Sequence, residues 1–118
     1  MVKAMAEALT QYKLIVLYML DHVDFPLTNT QISNFVLDKG YTTYFTIQQA
    51  INGLLSAELI HAKPTHNNTC YYITPAGRET LSFFPDKISS AIKADVLTYF
   101  AENKMELRQE ISVIADYY

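Results

Sequence analysis

The sequence is poor in cysteine, glycine and tryptophan. It contains one cysteine, Cys70, three glycines and no tryptophan. A lone cysteine excludes an intrachain disulfide and favours a reducing compartment, so we expect a cytoplasmic protein. Three glycines leave little material for a phosphate-binding loop, and no nucleophile-elbow or zinc-protease motif occurs. We therefore expect neither enzymatic activity nor a cofactor.

A long hydrophobic run is also missing. The most apolar stretch is LIVLYML at residues 14–20, and Asp21 follows it. That is far short of the roughly 20 residues that span a bilayer. No small-residue cleavage site follows, as a signal peptide would require. We interpret the run as a buried core helix and expect no membrane partner.

Positive charge is scarce. The net charge is -3, and no Lys or Arg lies between Gly40 and Ala62. Residues 1–84 contain six acidic residues and five basic ones. The basic residues are Lys3, Lys13, Lys39, Lys63 and Arg78. This composition argues against a cationic field over the whole molecule, but it leaves a local cationic patch open.

What is present is a succession of helix signals in the first half of the chain. The apolar run lies in a helix over about residues 7–22. Thr28, with Gln31 three residues on as in a capping box, starts a second helix over about residues 29–38. Gly40 suits a turn with positive φ, and Thr42 or Thr43 caps a third helix. The apolar face of that helix comprises Ile47, Ile51, Leu54 and Leu55, with Tyr44 extending it by a turn; the opposite face carries Gln49, Asn52 and Ser56.

Strand signals follow the third helix. LIHAKP and TCYYIT predict a hairpin around the short polar segment THNN at residues 65–68. Thr74 then caps a helix that Pro75 opens, and a last long helix starts near Asp86. The tail EISVIADYY alternates like a strand, although a helical spacing is also available. We favour the strand.

The order of these elements predicts a mainly α protein with a small β-hairpin, an α+β chain. Helix, helix, turn, helix, hairpin and helix is the order of a winged helix-turn-helix domain. We assign residues 1–84 to that domain, and residues 85–118 to a C-terminal amphipathic helix with a possible terminal strand that serves dimerisation.

Three motifs carry a family resemblance: LTNTQI at residues 27–32, YFTIQQ at residues 44–49 and IADYY at residues 114–118. Through them and most of the chain, the sequence resembles an uncharacterised winged-helix family of Gram-positive bacteria. That family is catalogued as a domain of unknown function and associated at best with transcriptional regulation. YYITPAGRETL at residues 71–81 is also similar to the second wing strand and following helix of PadR and MarR regulators. Family members usually continue into a small β-rich region, so we expect a truncated chain or a short member.

Amides on the third helix are the candidates for reading DNA. Gln and Asn side chains make bidentate contacts to adenine, so we predict base contacts from Gln48, Gln49 and Asn52. Residues bordering this helix or lying on the hairpin are predicted to contact the DNA backbone: Lys39, Thr42, Thr43, Thr46, Lys63, His66 and Asn67. Each prediction has an alternative. The polar face of the third helix could simply be solvated, and THNN could be a turn in which asparagine tolerates positive φ. The whole domain could bind another protein instead of DNA.

Two further predictions come from the remaining patterns. His61 and Cys70 lie on adjacent hairpin strands, but no tight ligand spacing accompanies them, so we predict no metal site. The apolar stripe of the last helix, by contrast, predicts a homodimer that would match a palindromic DNA site. Its residues are Ile88, Ile92, Val96, Tyr99 and Phe100. Alternatively, the aromatic members of this stripe line a small-molecule pocket, whose ligand the sequence does not identify.

Overall fold

Five helices and three strands make up the part of the chain that the computed structural model describes. The described backbone covers residues 2–23, 25–64, 68–84 and 86–116, and the described side chains cover residues 9–23, 25–64, 68–84 and 86–103. The elements are α1 (Val2–Asp21), β1 (Leu27–Thr28), α2 (Asn29–Asp38), α3 (Tyr44–Ser56), β2 (Ile60–Pro64), β3 (Thr69–Ile73), α4 (Pro75–Ser82) and α5 (Ser90–Asp116). The predicted mainly helical α+β class is confirmed.

The apolar run of α1 forms the centre of the core. Leu14, Ile15 and Val16 are at most 2% exposed, and they pack with the inner faces of α2 and α3. Burying side chains of this size stabilises a fold by roughly 1.5–3 kcal/mol each. The prediction of a buried core helix is confirmed, and α1 fixes the orientation of the two helices that follow it.

Side-chain caps set where α2 and α3 begin. Thr28 Oγ1 accepts a hydrogen bond from the Gln31 N–H at 3.0 Å, and the Gln31 side chain accepts one from the Thr28 N–H at 2.9 Å. The predicted capping box is therefore confirmed. Of the two predicted caps of α3, the structure shows Thr43 and not Thr42. Gly40 has a φ of 72°, the positive value predicted for its turn.

The three strands form one antiparallel sheet in the order β1-β3-β2. Ile60 lies opposite Ile73 in the hairpin, and Leu27 lies opposite Tyr71. The sequence did not predict β1, because two residues are too few to show strand alternation. Through β1, the hairpin is joined to the start of α2.

Helix α4 packs closely against the residue that precedes the hairpin. Thr74 caps α4 and Pro75 opens it, as predicted. A Cβ atom on Gly77 would lie 2.2 Å from the carbonyl oxygen of Leu59, so only glycine fits there.

Both predicted limits of the last helix are wrong. It begins at Ser90 instead of near Asp86, because Ser89 Oγ accepts a hydrogen bond from the Ile92 N–H at 3.2 Å. It continues to Asp116, so the predicted terminal strand is helical as far as the described backbone extends. Residues 86–118 contain no Gly or Pro that would end the helix.

A tyrosine–carboxylate contact connects α5 to the turn before α3. Tyr41 Oη donates a hydrogen bond to Asp95 Oδ2, and Tyr12 Oη donates one to the Tyr41 carbonyl at 3.1 Å. Burial raises the pKa of Tyr41, and the hydrogen bond to Asp95 and the charge of Asp95 raise it further. The neutral hydroxyl is thus retained as the donor.

None of the described helices is both long and apolar enough to cross a membrane.

Candidate functional site

The outward face of α3 is polar where the sequence predicted it. Gln49, Asn52 and Ser56 are all exposed. Phe45 lies on the same face and is 69% exposed. The prediction that Tyr44 extends the buried face is wrong. Tyr44 is 57% exposed, because it opens the helix, beyond the turns that pack on the core.

Gln48 lies on the flank of α3 that faces α2, and both the nitrogen and the oxygen of its amide are hydrogen-bonded within the protein. Its Nε2 donates to Asn29 Oδ1 at 2.8 Å and to Ser33 Oγ at 2.9 Å. Its Oε1 accepts from Asn29 Nδ2 at 2.8 Å. The same Asn29 amide donates to Tyr71 Oη on β3 at 3.1 Å. This network holds α2, α3 and the sheet in register.

A lysine from α1 lies across the opposite flank of α3. A Cβ atom on Gly53 would be 2.6 Å from Lys13 Cε and 2.8 Å from Lys13 Nζ. The missing side chain of Gly53 thus leaves a notch through which the lysine stem passes. Gln49 lies one turn before Gly53 on the same side of α3. The Lys13 ammonium group therefore borders the side of α3 that carries Gln49.

Two more cations lie on segments next to α3, in the turn that precedes it and on β2, which contacts it. Lys39 ends α2 in the turn before α3, and Lys63 is exposed on β2. Arg78 is different, because its Nε donates to Asp21 Oδ1 at 3.2 Å. Within the described part of the chain, Lys13, Lys39 and Lys63 have no carboxylate partner.

The remaining predicted backbone contacts lie around the start of α3 and at the hairpin tip. Thr43 Oγ1 accepts from the Thr46 N–H at 3.3 Å and lies 3.0 Å from Thr46 Oγ1, so the two hydroxyls are paired. Thr42 is half-buried just before them. The predictions for His66 and Asn67 lie outside the described residues.

The stripe that the sequence assigned to dimerisation, in which Ile88 precedes α5 and the other residues lie on it, packs on the chain's own core. Ile88, Val96 and Phe100 are at most 6% exposed, and their partly buried neighbours Ile92 and Tyr99 pack against the same cluster. Phe35 and Tyr99 have ring centroids 4.9 Å apart. A homodimer stays a prediction, and in this conformation it requires another surface.

The hairpin cysteine is not part of a site in the described residues. His61 is exposed opposite Tyr72, whereas Cys70 is fully buried opposite Lys63. No group of three or more His, Cys, Asp or Glu side chains in the described ranges could hold a metal ion.

Sequence reasoning missed Lys13 and Asn29, because each acts through a partner far along the chain. Only the lone glycine in α3 indicated that another group approaches the helix closely at that point. The helical period placed Gln49, but not Gln48, on the face opposite the apolar residues, yet it could not show that Asn29 and Ser33 bind the Gln48 amide.

Comparison with known proteins gives a family but no characterised relative. No curated protein and no solved structure matches the chain. The family model described as a domain of unknown function, DUF4364, matches residues 12–118, which extend from α1 into the C-terminal residues. The predicted resemblance to a domain-of-unknown-function family is confirmed at that level, and the chain belongs to the DUF4364 family.

Proposed function

We propose that this chain is a winged helix-turn-helix protein that binds duplex DNA as a homodimer and regulates transcription. In this proposal α3 lies in the major groove, and the β2–β3 hairpin is the wing that contacts the DNA beside it. Such a regulator would act in the cytoplasm, where the bacterial chromosome lies.

The connections around α3 support a groove-binding helix. Helix α3 contacts α1, α2 and β2, and these three elements hold it in place. Its remaining side, with Gln49, Asn52 and Ser56, faces solvent. A rigid helix with one free polar face is what base contact in a groove requires.

The observation that carries the proposal is the presence of three lysines on or next to the elements that contact α3. Lys13 lies on α1, Lys39 directly follows α2 and Lys63 lies on β2, and none has a carboxylate partner among the described residues. Amides supply base contacts, whereas ammonium groups supply the phosphate contacts that give most non-specific affinity. The absence of charge on α3 itself is therefore compatible with DNA binding.

The bases would be contacted by Gln49 and Asn52, with Phe45 against a thymine methyl group. Gln48 is a positioning residue in this proposal, since using its amide on a base would break its bonds to Asn29 and Ser33.

For the dimer, the exposed side of α5 offers a surface that the buried stripe does not. Leu97 is 46% exposed, and Ala94 and Ala101 are exposed at helical spacing from it. We expect Leu97→Glu to shift sedimentation from dimer to monomer at micromolar concentration. A wild-type monomer under the same conditions would contradict the dimer.

A salt titration of binding to random duplex DNA tests the proposal. Three lysines per subunit predict a slope of log K against log salt of about -5 for a dimer and about -3 for a monomer. The triple variant Lys13→Met, Lys39→Met, Lys63→Met should lose most of that slope while remaining folded. No binding by the wild-type chain at about 50 mM salt would overturn the proposal.

One observation favours a second function, a module that binds another protein. Tyr44 and Phe45 are adjacent, large and 57% and 69% exposed. Exposed aromatic pairs of this kind are common anchors of protein interfaces. A folded wild-type chain that fails to bind DNA in the titration would favour this function.

A further inference from the structure

The free face of α3 carries no charged side chain. Phe45, Gln49, Asn52 and Ser56 follow one another at intervals of four, three and four residues. At about 100° per residue, their Cα atoms lie within about 60° of one another around the helix axis. All four residues are exposed, and residues 44–57 contain no Arg, Lys, Asp or Glu. This face can therefore contact a groove only through amides, a hydroxyl group and an aromatic ring.

The two amides of the face match the edge of one base in particular. An amide presents a hydrogen-bond donor beside an acceptor, and adenine presents the complementary pair in the major groove, its N7 acceptor and its N6 donor. Guanine presents two acceptors there, so the amide oxygen would meet another acceptor. Within the described part of the chain, the side chains of Gln49 and Asn52 make no hydrogen bond that would have to be broken first.

The residue types that recognise a G·C pair are missing from α3. Arg and Lys are the common partners of guanine, whereas Glu and Asp accept from the N4 group of cytosine. Lys13 lies beside the helix, but its Nζ is 2.8 Å from the position that a Cβ atom on Gly53 would take, at the level of the helix backbone. The outward side chains of α3 extend beyond that level, so Lys13 is placed for a phosphate group and not for a base edge.

Phe45 adds an apolar group one turn before Gln49. Its side chain is 69% exposed, and the C5-methyl group of thymine is the apolar feature of the major groove. At 1.5 Å per residue, Phe45 and Asn52 lie about 10 Å apart along the helix, which is about three base-pair steps. When α3 lies along the groove, the face therefore reaches about four consecutive base pairs.

We propose that each DNA half-site of this protein contains a block of about four A·T base pairs, recognised in the major groove. Gln49 and Asn52 contact adenine edges, and Phe45 contacts a thymine methyl group. The Ser56 hydroxyl can donate or accept, so it adds no preference between bases. The A·T preference rests on the proposed DNA binding and names the class of sequence that α3 selects.

Selection from a random duplex pool with the full chain, followed by base replacement in the selected site, tests this preference. The selected duplexes should share a block of A·T pairs. Inosine·cytosine pairs keep the minor groove of A·T and present the major groove of G·C, because the base of inosine is guanine without its N2 amino group. Placing them in the block should weaken binding at least about tenfold in fluorescence anisotropy, the effect of one lost bidentate contact.

Uracil in place of thymine tests the Phe45 contact, because it removes only the C5-methyl group. The replacement should weaken binding of the wild-type chain about three- to fourfold, the effect of one buried methyl group. The Phe45→Ala variant should bind both duplexes equally. Tyr44→Ala is the matched control, since Tyr44 is 57% exposed but lies outside this face, and it should keep the wild-type difference.

The possible failures are distinguishable. Equal affinity for A·T and G·C duplexes, or an A·T preference that survives inosine·cytosine replacement, would overturn the major-groove preference and leave the proposed DNA binding in place. A uracil effect that persists in Phe45→Ala would overturn the role of Phe45. No binding to any duplex at about 50 mM salt would overturn both the preference and the DNA binding.

Discussion

The two flanks of α3 meet the rest of the molecule in opposite ways. On the flank towards α2, every polar atom of the Gln48 amide is bonded to Asn29 or Ser33. On the flank towards α1, Lys13 crosses Gly53 and keeps its ammonium group without a carboxylate partner among the described residues. The first flank is closed by hydrogen bonds and stabilises the fold. The second flank leaves a charge available, and we propose that this charge contacts DNA.

The closed flank is the place for the largest effect. Gln48→Ala removes three hydrogen bonds and leaves the Asn29 amide partly buried without them, so we expect a loss of about 2–3 kcal/mol in the free energy of unfolding. Urea denaturation followed by circular dichroism measures it. Gln49→Ala is the matched control, with an expected change within about 0.5 kcal/mol. Equal free energies of unfolding for the two variants would mean that the hydrogen bonds of Gln48 contribute nothing to stability.

The outward amide should show the reverse pattern. Gln49→Ala is expected to weaken binding to a DNA site selected from a random pool by about 1–3 kcal/mol, the range of one good base contact. Fluorescence anisotropy with the selected duplex measures this. Affinity for random duplex should change little, because phosphate contacts remain. A uniform loss on both duplexes would assign Gln49 to the backbone instead of a base.

The open flank is expected to contribute through charge alone. Lys13→Met keeps the stem over Gly53 and removes the ammonium group, so the salt slope should fall by about 0.9 per subunit. Thermal stability should stay the same, since Lys13 has no ion pair among the described residues. Lys87→Met serves as a control of the same charge change between α4 and α5. An unchanged slope for Lys13→Met would remove this lysine from the interface.

The smallest effect concerns the notch itself. In Gly53→Ala, the new Cβ displaces the flexible end of Lys13, while the helix gains up to about 1 kcal/mol of propensity. We expect equal or slightly higher stability together with the reduced salt slope of Lys13→Met. Adding Lys13→Met to this variant should change nothing further. A Gly53→Ala chain with the wild-type slope would show that the notch does not position the lysine.

Local signals in the sequence were sufficient for much of the fold. The Thr28 capping box, the positive φ of Gly40 and the Thr74–Pro75 helix start each depend on neighbouring residues, and all three are confirmed. β1 escaped detection because its two residues are defined only by pairing with β3.

The candidate site depended on longer-range contacts, which explains what the sequence could not supply. An amphipathic pattern tells which face of a helix is buried but not what covers it. The stripe of α5 was assigned to a partner subunit, yet Val96 and Phe100 pack on the chain's own core. In the same way, the cation beside α3 comes from α1, forty residues earlier than Gly53 in the sequence.

Mapping duplex DNA on the isotope-labelled chain by NMR tests the central claim most directly. If α3 enters the groove, the side-chain amides of Gln49 and Asn52 and the backbone amide of Gly53 should show the largest shifts. The NMR signal of the Gln48 side-chain amide should not shift, because this amide stays hydrogen-bonded to Asn29 and Ser33. Shifts concentrated on α5, or no shift in α3 at a DNA concentration that saturates binding, would contradict the account.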